Sequence, residues 1–271
     1  MPSALQHKRF MHCLPTRVGG AMASAVQAFS EAFSSYRESV ADYAVYSVIV
    51  AAIGTALSFF TALCLGIFGI VSLGSVANLV ASDGTIGVAA VGLSVSLIAL
   101  SIGILAVLWV SSGLHGAYLS TLNGFISKRK QSLGAFFLCV PKFATPLMLI
   151  SIICCVLVGA PLLFAVAIAP SLGQIFSVAA ILLVILYAAF AAFLLAFAMP
   201  AVVVDSKGPI SAIRTSVSAS VRNPLQVAIY FAVAFALAIP ALVPVFSLFY
   251  IPLFYLPISM SALLRLYRAA H

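Results

Sequence analysis

Long apolar stretches alternate along this chain with three short polar, basic islands, and that alternation predicts its elements. Between Tyr43 and Ser127 the only formally charged side chain is Asp83, and between Phe143 and Val204 there is none. The stretch from Asn223 to Leu264 is equally free of charge. A helix needs about 20 apolar residues to cross the hydrocarbon core, so each stretch holds two spans. The predicted spans are about 44–73, 87–111, 145–168, 175–199, 225–243 and 247–264. Gly and Ser clusters at 74–85, Pro170 with Ser171 and Gly173, and Pro240 with Pro244 mark the turns inside the three pairs. The fold class is therefore an all-α, polytopic transmembrane bundle of six spans, with amphipathic helices at the basic side.

Each island reads as a short helix leading into a hairpin. Met22, Val26, Phe29, Phe33, Tyr36, Val40 and Tyr43 recur every three or four residues, which predicts an amphipathic helix over 19–43. An interfacial position suits it, because it runs directly into the first span; a soluble helix packed on the bundle and a seam for a partner stay open. After Lys128-Arg129-Lys130, a second interfacial helix leads into the third span, with Pro141 and Pro146 expected to break or kink it. In the third island, Asp205-Ser206-Lys207-Gly208 reads as a turn and Pro209 takes the first helical position. Ile210, Ile213, Val217 and Val221 form the apolar stripe of that helix, and Asn223-Pro224 stops it. The second and third islands align loosely as SKRKQSLGAFFLCVPKFATPLML over DSKGPISAIRTSVSASVRNPLQV. Three same-orientation units of helix plus hairpin follow. Pro252 and Pro257 are expected to kink the last span.

Composition turns this pattern into a topology. The chain is 64% hydrophobic and 7% charged, with a mean hydropathy of +1.25, against about 25% charged residues in soluble domains. All thirteen Lys and Arg residues fall on one side of the six spans. They are Lys8, Arg9, Arg17 and Arg37, then Lys128, Arg129, Lys130 and Lys142, then Lys207, Arg214 and Arg222, and finally Arg265 and Arg268. The positive-inside rule makes that side, with both termini, cytoplasmic, in a multi-pass protein of the plasma membrane. Residues 1–18 lack the apolar core of a signal peptide and read as a disordered basic tail ahead of a membrane domain over 19–271. From Arg37 onward the bases are candidate contacts for anionic lipid headgroups or a membrane-protein partner. The +8 charge reports orientation, not nucleic acid.

Candidate chemistry is sparse. The five acids, Glu31, Glu38, Asp42, Asp83 and Asp205, all lie outside the middle of the membrane. Proton-coupled transporters place an ionisable group there. His115 and Asp205 are the candidate polar sites, with a hydrogen-bonded interfacial His and a Lys207 partner or helix cap as the plainer readings. Ser112, Gly116, Ser120 and Gly124 recur every fourth residue and predict a close helix–helix contact, within the bundle or between copies. The five Cys lack metal-type spacing. Neither a Gly-x-Ser-x-Gly elbow nor a phosphate loop occurs, so no catalytic residue, cofactor or metal is expected. Three function classes remain: a non-enzymatic scaffold, assembly factor or complex subunit with a basic collar; a facilitator for a small neutral solute; and an intramembrane lipid-acting enzyme.

Pro200, Asp205, Gly208, Ala212-Ile213, Ser216 and the Asn223-Pro224 pair carry a resemblance. They resemble a broad group of prokaryotic six-span proteins, one branch of which is the membrane domain fused to glycerophosphodiester phosphodiesterases. The resemblance implies the six-span architecture over about residues 20–268. It carries over no active site, because a phosphodiesterase barrel needs length and metal-binding carboxylates that this chain lacks.

Overall fold

In lipid a chain satisfies its backbone groups either within helices or in a closed β-barrel, and every regular element among the described residues is helical. The computed structural model describes residues 24–81, 86–129, 131–168 and 174–270. The tail at 1–18, the turns at 82–85 and 169–173, and Lys130 lie outside the described residues. The helices are α1 (Ala25–Glu38), α2 (Val40–Ala81), α3 (Ile86–Ile126), α4 (Leu133–Ile168) and α5 (Gln174–Leu195). They continue with α6 (Ala198–Asp205), α7 (Pro209–Arg222), α8 (Pro224–Ala238), α9 (Pro244–Tyr250) and α10 (Leu256–Ala270). Among the described residues, six stretches are long and apolar enough to cross a membrane: Val40–Leu73, Ser94–Ile126, Leu133–Phe164, Val178–Asp205, Pro224–Leu242 and Pro244–Ala270. The molecule is an all-α polytopic bundle.

Four expectations need correction. The first helix spans Ala25–Glu38, capped by Ser24 and broken at Ser39, so the first span begins at Val40 and not inside a helix over 19–43. The second island has no separate helix. Pro141 and Pro146 sit inside the continuous α4, which Ser132 caps through the Ala135 N–H. Within a membrane bundle, neighbouring helices and hydroxyl side chains satisfy the backbone groups that a proline frees, so the helix continues through it. Pro200 acts differently: α5 stops at Leu195 and α6 begins at Ala198, because a proline ring clashes with the carbonyl four residues earlier. In the last span the irregularity at Pro252 is a π-helical segment, Ile251–Tyr255.

The fourth correction concerns which face turns inward. In α7, Ile210 and Val221 are exposed, while Ala212, Ser216, Ala219 and Ser220 are buried. In α1, Val26 and Phe33 point outward, while Ala25, Ala28, Phe29, Ala32 and Tyr36 pack inward. Lipid is as apolar as Leu, so small side chains that allow close backbone approach choose the inner face.

The first and third expected units each keep a separate leading helix, α1 and α7, whereas that of the second is the first part of α4. α1 packs on α10, α4 on α3, and α7 on α6, so the leading helix of each unit lies against the last helix of the unit before it and the three close into a ring. The first and third units share one burial rhythm. Ala28, Ala32, Tyr36, Tyr43, Tyr46 and Val50 are buried, and so are Ala212, Ser216, Ser220, Val227, Tyr230 and Ala234, at the same successive intervals. Tyr46 and Tyr230 hold matching places, and each donates its hydroxyl to a backbone carbonyl, of Gln131 and Ser259 respectively. The core lies at one end of the bundle. None of the described side chains in 51–73, 94–111, 151–164, 178–190 or 235–256 is buried.

Candidate functional site

The basic end is assembled from helix termini. α3 closes with a Schellman-type cap: the Arg129 N–H donates to the Gly124 carbonyl at 2.8 Å and the Lys128 N–H to that of Phe125 at 2.9 Å. The cap puts Lys128 in the left-handed region at φ 55°, a conformation that costs a side-chain-bearing residue about 1 kcal/mol. α6 ends on Ser206 at φ 53°. In the loose alignment of the two islands, Lys128 falls on Ser206, so the aligned positions share the same rare backbone geometry.

Side chains from five helices then converge. Arg265 of α10 donates to Glu31 at 2.8 Å and to Ser35 at 2.5 Å, both on α1. Arg268 reaches Asn123 at 2.6 Å and Ser127 at 2.9 Å at the end of α3. Tyr267 donates to Asp205 at 2.5 Å, and Asp205 also pairs with Lys207 at 3.0 Å. Lys207 in turn donates to Thr215 at 3.1 Å. Asp205 thus clamps the end of α6 to α10 and to the turn before α7; the helix start at Pro209 is capped by Gly208, without a side chain.

Ser216 repairs the break that Pro200 makes. Its hydroxyl accepts from the Phe197 N–H at 3.0 Å and donates to the Leu194 carbonyl at 2.7 Å, with Ser220 adding a bond to the same carbonyl at 3.4 Å. Two backbone groups that the helix break frees are satisfied by a neighbouring helix.

A cleft of about 480 Å³ opens between the α1–α2 corner, the end of α3 and α10. Glu38, Asp42, Lys128, Arg129 and Arg265 contribute charged side chains to its lining. Tyr43 also lines it, at 1% exposure. The Tyr43 hydroxyl faces Ser261 and Arg265, and the Arg265 Nε has no hydrogen-bond partner among the described residues.

The remaining candidates separate. Gly116 of α3 is pressed against Phe143 and Leu147 of α4, and Ser112 is buried on the same helix. Ser120 and Gly124 are only half-buried. A Cβ on Gly113 would lie 2.6 Å from the Val140 carbonyl oxygen, so this face of α3 is a contact within the bundle. His115 is exposed, with its Nδ1 2.8 Å from the Ser111 carbonyl, beside a cavity of about 150 Å³ lined also by Ser112, Ser151 and Met199. Lys142 stands over the Phe143 ring at 5.2 Å. Arg37, Arg214 and Arg222 are not buried, and the structure gives them no side-chain partner among the described residues. Cys64, Cys139, Cys154 and Cys155 are free thiols.

Sequence reasoning gave no site role to Tyr43, Ser216 or Tyr267, and placed Glu38 and Asp42 only outside the middle of the membrane. Ser216 stood in the motif that carried the resemblance, but nothing local marks a serine as a splice for a helix break ahead of it in the chain. Comparison with family models, curated proteins and solved structures found no match.

Proposed function

We propose that this integral membrane protein is a non-enzymatic scaffold or complex subunit of the plasma membrane, with its basic end and both termini in the cytoplasm. One observation carries the reading: packing and charge are concentrated together at the basic end, where α1, α3, α6, α7 and α10 are locked by Arg265, Arg268 and Asp205. A rigid platform there, with Val26, Phe33, Ile210 and Val221 turned outward toward acyl chains, suits a body that holds anionic lipid and a membrane-protein partner at the surface. The exposed bases Arg37, Arg214 and Arg222 supply the headgroup contacts. The membrane halves of the spans present apolar side chains outward and serve as an anchor.

The reading is tested by reconstituting the protein into liposomes and by purifying it gently from its own membrane. Reproducible co-purification of a membrane-protein partner, with solute flux no greater than in empty vesicles, is the expected result. Flux of a small neutral solute above that baseline would overturn the scaffold and support a facilitator, for which the cavity beside His115 supplies polar Ser111, Ser112 and Ser151.

A further inference from the structure

The cleft between the α1–α2 corner and the end of α3 holds charges that the fold leaves unused. Glu38 and Asp42 come from α1 and α2, Lys128 and Arg129 from the turn after α3, and none of the four forms an ion pair with a described residue. The corresponding turn after α6 behaves in the opposite way, because Asp205 and Lys207 neutralise each other at 3.0 Å. At the first turn a lysine is held at φ 55°, where glycine is the unstrained choice, and its side chain is left free beside a cavity. In the wall of the same cleft, the deeply buried Tyr43 hydroxyl faces Ser261 and Arg265, and the Arg265 Nε has no hydrogen-bond partner among the described residues. Strain and unused hydrogen-bonding capacity therefore meet at one place.

We propose that this cleft binds a zwitterionic ligand carrying an ammonium and a phosphate, the chemistry shared by a phosphatidylethanolamine headgroup and soluble phosphoethanolamine. Arg265 is already paired with Glu31, so among the described lining residues the free charges are two carboxylates and two cations. A purely anionic ligand satisfies Lys128 and Arg129 but is repelled by Glu38 and Asp42; a purely cationic one meets the reverse problem. A ligand with both charges satisfies all four, the ammonium donating to the carboxylates and the phosphate accepting from the bases. At about 480 Å³ the cleft falls in the size range of small-molecule sites and is far larger than a bare ion requires. Its place at the basic ends of the helices puts it at headgroup depth.

The test uses the full chain in nanodiscs holding equal amounts of phosphatidylethanolamine and phosphatidylglycerol, with retained lipid read by native mass spectrometry. The wild type is expected to retain phosphatidylethanolamine preferentially. Glu38→Gln with Asp42→Asn should weaken that retention about tenfold, the consequence of losing a charge-assisted contact, and shift the preference toward phosphatidylglycerol. Lys128→Gln with Arg129→Gln should weaken retention of both lipids. Displacement by soluble phosphoethanolamine assigns the site to a free ligand, and retention in its presence assigns it to bilayer lipid; both agree with the proposal. Equal retention of the two lipids by the wild type, or unchanged retention in both double variants at unchanged melting temperature, would overturn it. The outcome is independent of the scaffold reading, which flux and co-purification decide.

Discussion

The two ends of this bundle are built on different rules. At the basic end, side chains from all three units interlock: Phe29 stacks on Tyr230, Tyr43 and Tyr46 meet Phe125, and Phe197 meets Tyr267. At the other end the same helices carry Phe59, Leu73, Leu163, Leu186 and Leu242 almost wholly exposed, with exposures of 72%, 74%, 72%, 68% and 80%. In water the second arrangement would be a liability; in a bilayer it costs little, because lipid replaces protein as the neighbour. Hydrophobicity therefore anchors both ends, but shape complementarity and hydrogen bonds organise only one.

That contrast is broken most severely by truncating aromatic residues. Phe136 is completely buried at the basic end, and Phe136→Ala should cost about 3–5 kcal/mol. Phe59→Ala, in the lipid-facing half of α2, should change stability several-fold less. Denaturant titration of both variants in matched micelles measures the difference, and equal losses would mean that the lipid-facing half also packs against protein.

A smaller effect is expected from deleting one oxygen. Ser216→Ala removes the partner of both the Phe197 N–H and the Leu194 carbonyl, and should cost about 1–3 kcal/mol. Ser58→Ala removes a bond from an exposed serine to the carbonyl four residues earlier in its own helix, which remains in the helical ladder, and should be near neutral. A neutral Ser216→Ala would show that water or lipid headgroups satisfy the break instead.

The sequence was informative about the anchor and much less so about the organised end. Apolar length and the positions of lysine and arginine predict six spans, because those properties follow from the thickness of the hydrocarbon core. The inner faces of α1 and α7 were misread, since the periodicity of Val26 and Phe33, or of Ile210 and Val221, identifies the side that avoids water and not the side that meets protein. Of the two kinds of proline, Pro141 and Pro146 pass through a continuous helix, whereas Pro200 ends one with Ser216 in position to repair it. Only the third dimension separates them. The convergence of Arg265 on Glu31, of Tyr267 on Asp205 and of Arg268 on Asn123 joins residues far apart in the chain, and no local spacing announces it.

The central claim is that protein–protein packing resides at the basic end while the opposite halves of the spans meet lipid, and one substitution made in two places tests it directly. A Cβ at Gly116 would collide with the Cβ of Phe143 and lie 2.7 Å from Leu147 Cδ1, whereas at Gly66 it would meet nothing within 4 Å. Thermal unfolding in nanodiscs should show Gly116→Ala destabilised by about 1–3 kcal/mol through overpacking. Gly66→Ala should be unchanged or stabilised by up to about 1 kcal/mol, since alanine favours helix over glycine. Destabilisation at Gly116 alone is the predicted result; equal destabilisation at the two glycines would contradict the account.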